Sequence, residues 1–124
     1  MRVGYVVLYV NDSEASMKFW TEKVGMKLHE TTPVGDSTIY RVGFSDQQFS
    51  FELVPLAIMQ ENPHGLNLGT PSICFYTSDI PALHERLNSH SIKTTEITQR
   101  GNKGNFAFSD NEDRWFAVLE DLTK

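Results

Sequence analysis

A strand followed by a helix near the start of the chain returns 67 residues later, and this internal repeat limits the possible folds. In the first copy, apolar residues alternate with a period of two up to Val10, as in a strand. Asn11-Asp12-Ser13 then offers side-chain oxygens to the free N–H groups at the start of a helix. In the second copy, Asp79 occupies the position equivalent to Asp12. The sequence therefore predicts two modules of the same design.

Each module is predicted to run strand, helix, strand, strand, strand. We expect one domain over residues 1–124, with repeat 1 at 1–55, a linker at 56–69 and repeat 2 at 70–124. After the strand that ends at Val10, the remaining strands are predicted at 26–32, 37–44, 47–54, 72–77, 92–98, 105–109 and 115–120. The end of the chain, 121–124, is expected to be loose. The predicted class is α+β: a curved mixed sheet around a cleft, with the helices on the outer face.

Composition and charge exclude several function classes. The 124 residues are 40% hydrophobic, which is enough for one core, and the net charge of −5 is spread without long runs. A nucleic-acid surface needs clustered Lys and Arg, and a membrane span needs about 20 apolar residues; neither pattern is present, and no signal peptide is expected. The single cysteine, Cys74, favours a reducing, cytoplasmic location.

Two motifs carry a family resemblance. The opening Leu8-Tyr-Val-Asn-Asp12 continues through Phe19-Trp20 to Val24-Gly25-Met26, and the closing motif is Phe108-Ser-Asp-Asn-Glu-Asp113 with Glu120 beyond it. Together with the repeat, these motifs resemble the vicinal oxygen chelate superfamily, which includes glyoxalase I, bleomycin-resistance proteins and extradiol dioxygenases. The resemblance implies paired βαβββ modules, a ligand cleft and a homodimer.

The resemblance also implies four positions for metal ligands, one on the first and one on the last strand of each module. They fall on Tyr5, Glu52, Ser72 and Ala117. The usual ligands of the family are His and Glu, so three of the four positions lack them. No tight divalent site and no cofactor are expected, and the sequence leaves open whether the protein is an enzyme; Glu52 is the candidate catalytic residue if it is one.

Strand alternation predicts the residues that line the cleft. Those residues share the face away from the helices: Tyr5, Val7, Tyr9, Glu52, Ser72, Cys74, Tyr76 and Trp115. Such a surface is aromatic, carries one carboxylate and is expected to hold no Arg or Lys, which suits a flat or cationic organic ligand. Two alternatives remain: the tyrosines fill a core between sheets, or Glu52 is a structural residue paired with Arg41.

Three functions are compatible with these patterns. The first is metal-free binding of a small organic molecule, such as an antibiotic or a flat cation, in a cleft at a homodimer interface. The second is a metal-dependent lyase, isomerase or dioxygenase in which Glu52, with partners such as Tyr5 and His64, holds Zn, Ni, Mn or Fe. The third is a domain that binds a protein partner.

Overall fold

The computed structural model describes residues 1–121 and forms two compact units, one of residues Met1–Pro71 and one that begins at Ser72. Each unit contains a four-stranded mixed sheet, with its strands and helix in the order strand, helix, strand, strand, strand. The predicted α+β class with two βαβββ modules is confirmed. None of the helices within residues 1–121 combines the length and the apolar character that a membrane span requires.

The sheet of the first unit has the strand order β1-β4-β3-β2. Its strands are β1 (Val6–Val10), β2 (Lys27–Val34), β3 (Ser37–Gly43) and β4 (Ser50–Pro55). β1 pairs with β4 in parallel, and the other neighbours are antiparallel. The arrangement places β4 in the interior of the sheet, and five of its six residues are buried.

Helix α1 (Ser13–Lys18) continues as a π-helical segment (Phe19–Val24). It begins where the Asp12 carboxylate accepts a hydrogen bond from Ala15 N at 3.0 Å, as its sequence predicts. It ends at Gly25, whose φ of 104° is a left-handed conformation that favours glycine. The helix packs Trp20 against Phe51 of β4, with ring centroids 5.0 Å apart, so the core of this unit lies between helix and sheet.

The second unit repeats the plan with the strand order β5-β8-β7-β6. Its elements are β5 (Cys74–Thr77), α2 (Ile80–Ser89), β6 (Thr98–Arg100), β7 (Lys103–Ser109) and β8 (Trp115–Glu120). Asp79 caps α2 through Ala82 N at 3.1 Å, matching the role of Asp12 in the first unit. Phe106, Phe108, Phe116 and Val118 are buried with Ile80 and Leu87 of the helix.

One predicted strand, 92–98, is wrong over most of its length: an isolated bridge joins Thr94 to Phe108, and a side chain interrupts the ladder beyond it. Thr95 N donates to Ala107 O at 2.8 Å, but Ala107 N donates to the Thr95 hydroxyl at 2.9 Å rather than to a carbonyl. Thr95 O in turn lies 2.9 Å from Nε2 of His84 on α2. Regular pairing therefore begins only at Thr98.

Smaller differences concern the ends of segments. Ser72 lies before β5 rather than within it, because that strand begins at Cys74. The linker, predicted to be irregular, opens with a 3₁₀ helix (Leu56–Met59). Asp121, expected to be loose, donates its N–H to Thr77 O at 2.8 Å, and the rest of that prediction, 122–124, lies outside the described residues.

A buried ionic turn closes the β7–β8 hairpin. The Asp110 carboxylate accepts hydrogen bonds from Glu112 N and Arg114 N, both at 2.9 Å, and from Arg114 Nη1 at 3.2 Å. Arg114 Nη2 also lies 2.9 Å from Glu112. The polar residues of the closing motif thus hold the turn that sets the register between β7 and β8.

Candidate functional site

A row of four residues crosses the first sheet from edge to edge. Val7 of β1 is opposite Glu52 of β4, Glu52 is opposite Arg41 of β3, and Arg41 is opposite Glu30 of β2. Residues that are opposite one another in a sheet point to the same side, so the four share one face. The neighbouring Leu53 is fully buried on the other face, towards the helix. We call these four residues the charged row.

Tyr5, predicted on the first strand, lies immediately before β1 and at the β1 side of the charged row. The residue is 44% exposed, and its hydroxyl donates a hydrogen bond to the Glu52 carboxylate. The negative charge of Glu52 is the main reason that the pKa of Tyr5 is raised above 10.0, and the hydrogen bond and burial act in the same direction. Arg41 opposes this effect. Tyr5 therefore presents a neutral phenol at physiological pH.

Arg41 is held by Glu30. Its Nε and Nη2 both lie 3.4 Å from Glu30 Oε1, and among the described residues Arg41 makes no ion pair with Glu52. The structure therefore does not contain the predicted alternative, a structural pair between Glu52 and Arg41. The expectation that this face carries no cation is also wrong, because Arg41 lies on it. Two carboxylates and one guanidinium leave the charged row with a net charge of −1.

The remaining residue predicted in the first unit, Tyr9, lies on the same side of β1 as Val7. It is opposite Val54 and is partly buried. The structure thus brings together Tyr5, Val7 and Glu52, with Tyr9 further along the strand. Their role in ligand binding stays a prediction.

In the second unit, alternation places the aromatic residues away from the helix. Trp115 and Tyr76 are 49% and 68% exposed, whereas the neighbouring Phe116 and Val118 are buried on the opposite face. Cys74 is an exposed free thiol opposite Ala117. Ser72, also exposed, lies outside the strand that was predicted to present it.

The donor atoms at the four ligand positions do not fit a divalent ion. Ala117 offers only a methyl group, and the raised pKa of Tyr5 opposes the phenolate that would bind a metal. Within residues 1–121, no three His, Cys, Asp or Glu side chains lie close enough to hold a metal ion, His64 included. Glu52 alone cannot supply the three or so protein ligands that a catalytic site uses.

Sequence reasoning named Arg41 only as a possible structural partner of Glu52, and it missed Glu30 altogether. The signal was available in part, since Arg41 alternates with the apolar Tyr40 and Val42 and so belongs on the other side of its strand. Glu30 was hidden by an irregularity in the register between Leu28 and Glu30, which a strict period of two does not anticipate.

Comparisons with known proteins agree with this architecture. A family model described as Glyoxalase/Bleomycin resistance protein/Dioxygenase superfamily matches residues 2–118. Uncharacterized protein YetH of Bacillus subtilis (strain 168) is 26% identical over 121 residues, which is 96% of this chain and 98% of that protein.

Two crystal structures show the same fold. TnmS3, an antibiotic binding protein from Streptomyces sp. CB03234, has a TM-score of 0.79 and 19% identity over 97% of this chain and 95% of that one. A member of the same superfamily from Sphaerobacter thermophilus DSM 20745 has a TM-score of 0.81 and 16% identity, covering 98% of both chains. At these identities the likeness concerns the fold alone.

Proposed function

Because the chain belongs to the Glyoxalase/Bleomycin resistance protein/Dioxygenase superfamily, we propose that it binds a small organic molecule without a metal ion. The proposal rests above all on the pairing of Glu52 with Tyr5 on the face of the first sheet away from its helix. At a position where the metal-dependent members carry a ligand, this chain has a carboxylate that accepts a hydrogen bond from a neutral phenol. Such a pair suits recognition of an organic group rather than coordination of an ion.

The charge of the site favours a cationic ligand. The charged row has a net charge of −1, and an exposed aromatic ring stands at its end. A cation over an aromatic face gains roughly 0.5–2 kcal/mol, and a hydrogen bond to a carboxylate contributes about 1.5–3 kcal/mol. A carboxylate has about four acceptor positions, of which the hydroxyl of Tyr5 uses one. Glu52 can therefore accept further hydrogen bonds from an ammonium or amidinium group.

The relatives support small-molecule binding but not a particular ligand. TnmS3 is an antibiotic binding protein, and its likeness to this chain is one of fold. The proposed assembly is a homodimer with the ligand cleft at its interface, as the family resemblance implies. Each unit exposes aromatic residues on its sheet, Tyr5 in the first and Tyr76 and Trp115 in the second, which is compatible with that assembly.

Isothermal titration calorimetry with proflavine, a flat aromatic cation, tests the proposal in buffer that contains EDTA. We expect the wild-type protein to bind proflavine and to reject 2-anthracenecarboxylate, an anion of similar shape. Glu52→Gln should weaken binding on the order of tenfold, since a hydrogen bond to a charged group is worth more than 1.4 kcal/mol.

The matched control is Glu22→Gln, which removes the same charge from an exposed position on the helix. It should leave the affinity for proflavine unchanged. Preference for the anion, or equal losses in the two variants, would rule out Glu52 as the anchor of a cation.

A further inference from the structure

Arg41 stands between two carboxylates and can pair with either. Its strand, β3, lies between β4 and β2, and Arg41 is opposite both Glu52 and Glu30 in the register. Neighbouring strands are about 4.8 Å apart, so both carboxylates are within reach of a long, rotatable arginine side chain. The structure has the guanidinium at Glu30.

The pair with Glu30 is weak by its geometry and exposure. Both contacts are 3.4 Å long and end on one oxygen, so the pair is not the parallel two-bond arrangement that makes an arginine–carboxylate pair strong. The side chains are 30% exposed for Arg41 and 60% exposed for Glu30. Surface pairs of this kind contribute little to stability. A small change at Glu30 is therefore enough to release Arg41.

We propose that Glu30 is a positioning residue, which holds Arg41 at the outer side of the charged row and so keeps the Glu52 carboxylate open to a cationic ligand. This inference rests on the proposed function. Once Glu30 no longer holds it, the guanidinium has Glu52 as the remaining carboxylate opposite it in the register, and it would pair there. An arginine on Glu52 would occupy the acceptor positions that the ligand needs.

The inference predicts a specific pattern of affinities for proflavine. If Arg41 occupied Glu52 for most of the time in Glu30→Gln, the apparent affinity would fall about threefold to fivefold, in proportion to the fraction of open sites. Arg41→Met removes the competitor and should bind proflavine at least as tightly as the wild type. Adding Glu30→Gln to Arg41→Met should then change the affinity little, because no arginine remains to be held.

These variants form a double-mutant cycle, which separates the positioning of Arg41 by Glu30 from a direct effect of the charge of Glu30 on the ligand. Glu30 also carries a negative charge of its own, which could attract a cation across the face. If Glu30→Gln weakened binding equally with and without Arg41, the charge of Glu30 would act directly and the inference would be overturned. The four proteins are compared by calorimetry at one ionic strength.

A second readout needs no ligand and so distinguishes failure of the inference from failure of the proposed function. The Nε–Hε signal of Arg41 in a proton–nitrogen NMR spectrum is assigned by its loss in Arg41→Lys. We expect Glu52→Gln to leave this signal in place in the wild-type background and to move it in the Glu30→Gln background.

The calorimetry tests the proposed function, and the NMR comparison tests the positioning role of Glu30 separately. If proflavine does not bind the wild-type protein, the proposed function fails, and the NMR comparison alone supports or overturns the positioning role. If Glu52→Gln moved the Arg41 signal equally in the wild-type and Glu30→Gln backgrounds, Arg41 would already pair with Glu52 in the wild type. The inference would then be wrong.

Discussion

Asp110→Ala should be among the most destabilising substitutions of a polar residue in the described part of this chain. Its carboxylate is 1% exposed and accepts three hydrogen bonds, two from backbone N–H groups and one from Arg114. Truncation to alanine leaves two backbone donors without this acceptor and deprives a largely buried guanidinium of one of its two carboxylates. Breaking a buried pair from one side costs about 3–5 kcal/mol, and a buried unsatisfied donor about 1–3 kcal/mol. Because these costs overlap, we expect a loss of about 3–5 kcal/mol in the free energy of unfolding.

Urea unfolding followed by circular dichroism measures this loss. With a slope of about 1–3 kcal/mol per molar in urea, a change of this size moves the midpoint by at least about 1 M. Asp110→Asn should cost less than Asp110→Ala, since an amide oxygen still accepts from the two backbone groups while the charge opposite Arg114 is lost.

Asp113→Asn is the matched control in the same turn. Asp113 is exposed, pairs with Lys93 at 2.8 Å, and has a φ of 64° that asparagine tolerates. We expect its midpoint to remain close to that of the wild type. A loss below about 1 kcal/mol for Asp110→Ala would show that the buried network does not hold the hairpin. A loss for Asp113→Asn as large as that for Asp110→Ala would show the same.

Three further predictions concern the site and the assembly. Glu52→Gln should lower the pKa of Tyr5 towards 10.0, because the main cause of its rise is removed; the change is read from tyrosinate absorbance with Tyr5→Phe as the reference. Because the folded pKa of Tyr5 is raised, its contribution to stability is present below pH 10.0 and is lost as the pH rises through the folded value, and this alkaline loss should shrink in Glu52→Gln. Stoichiometric Zn, Ni, Mn or Fe should not raise the melting temperature; a rise that disappears in Glu52→Gln would instead indicate a metal site. Sedimentation equilibrium at micromolar concentration should give a homodimer, and a monomer there would contradict the proposed assembly.

The fold was predictable because its signals are local and occur twice. Each of these signals specifies one element or its end: alternation up to Val10, the helix caps Asp12 and Asp79, and the helix end at Gly25. Because the pattern occurs twice, the assignment of each half is evidence for the assignment of the other. The same alternation correctly separates Glu52 from the buried Phe51. Period and capping need no knowledge of distant residues.

The parts that failed depend on register or on contacts between distant residues. The charged row exists because Arg41 is opposite both Glu52 and Glu30, and the register that puts it there includes an irregularity at Leu28 to Glu30. The predicted strand at 92–98 was lost because Thr95 bonds to Ala107 through its side chain. Alternation along one strand indicates the side on which Arg41 lies, but it does not reveal the partners of Arg41 on neighbouring strands or the side-chain bond of Thr95.

A proton–nitrogen NMR titration of uniformly labelled protein with proflavine, in buffer containing EDTA, tests the central claim most directly. We expect saturable shifts of the backbone amides of Tyr5, Val7 and Glu52 with no metal present, and in Glu52→Gln these shifts should need about tenfold more proflavine. Shifts confined to other parts of the chain, or shifts that require added metal, would contradict a metal-free binding site built on Glu52 and Tyr5.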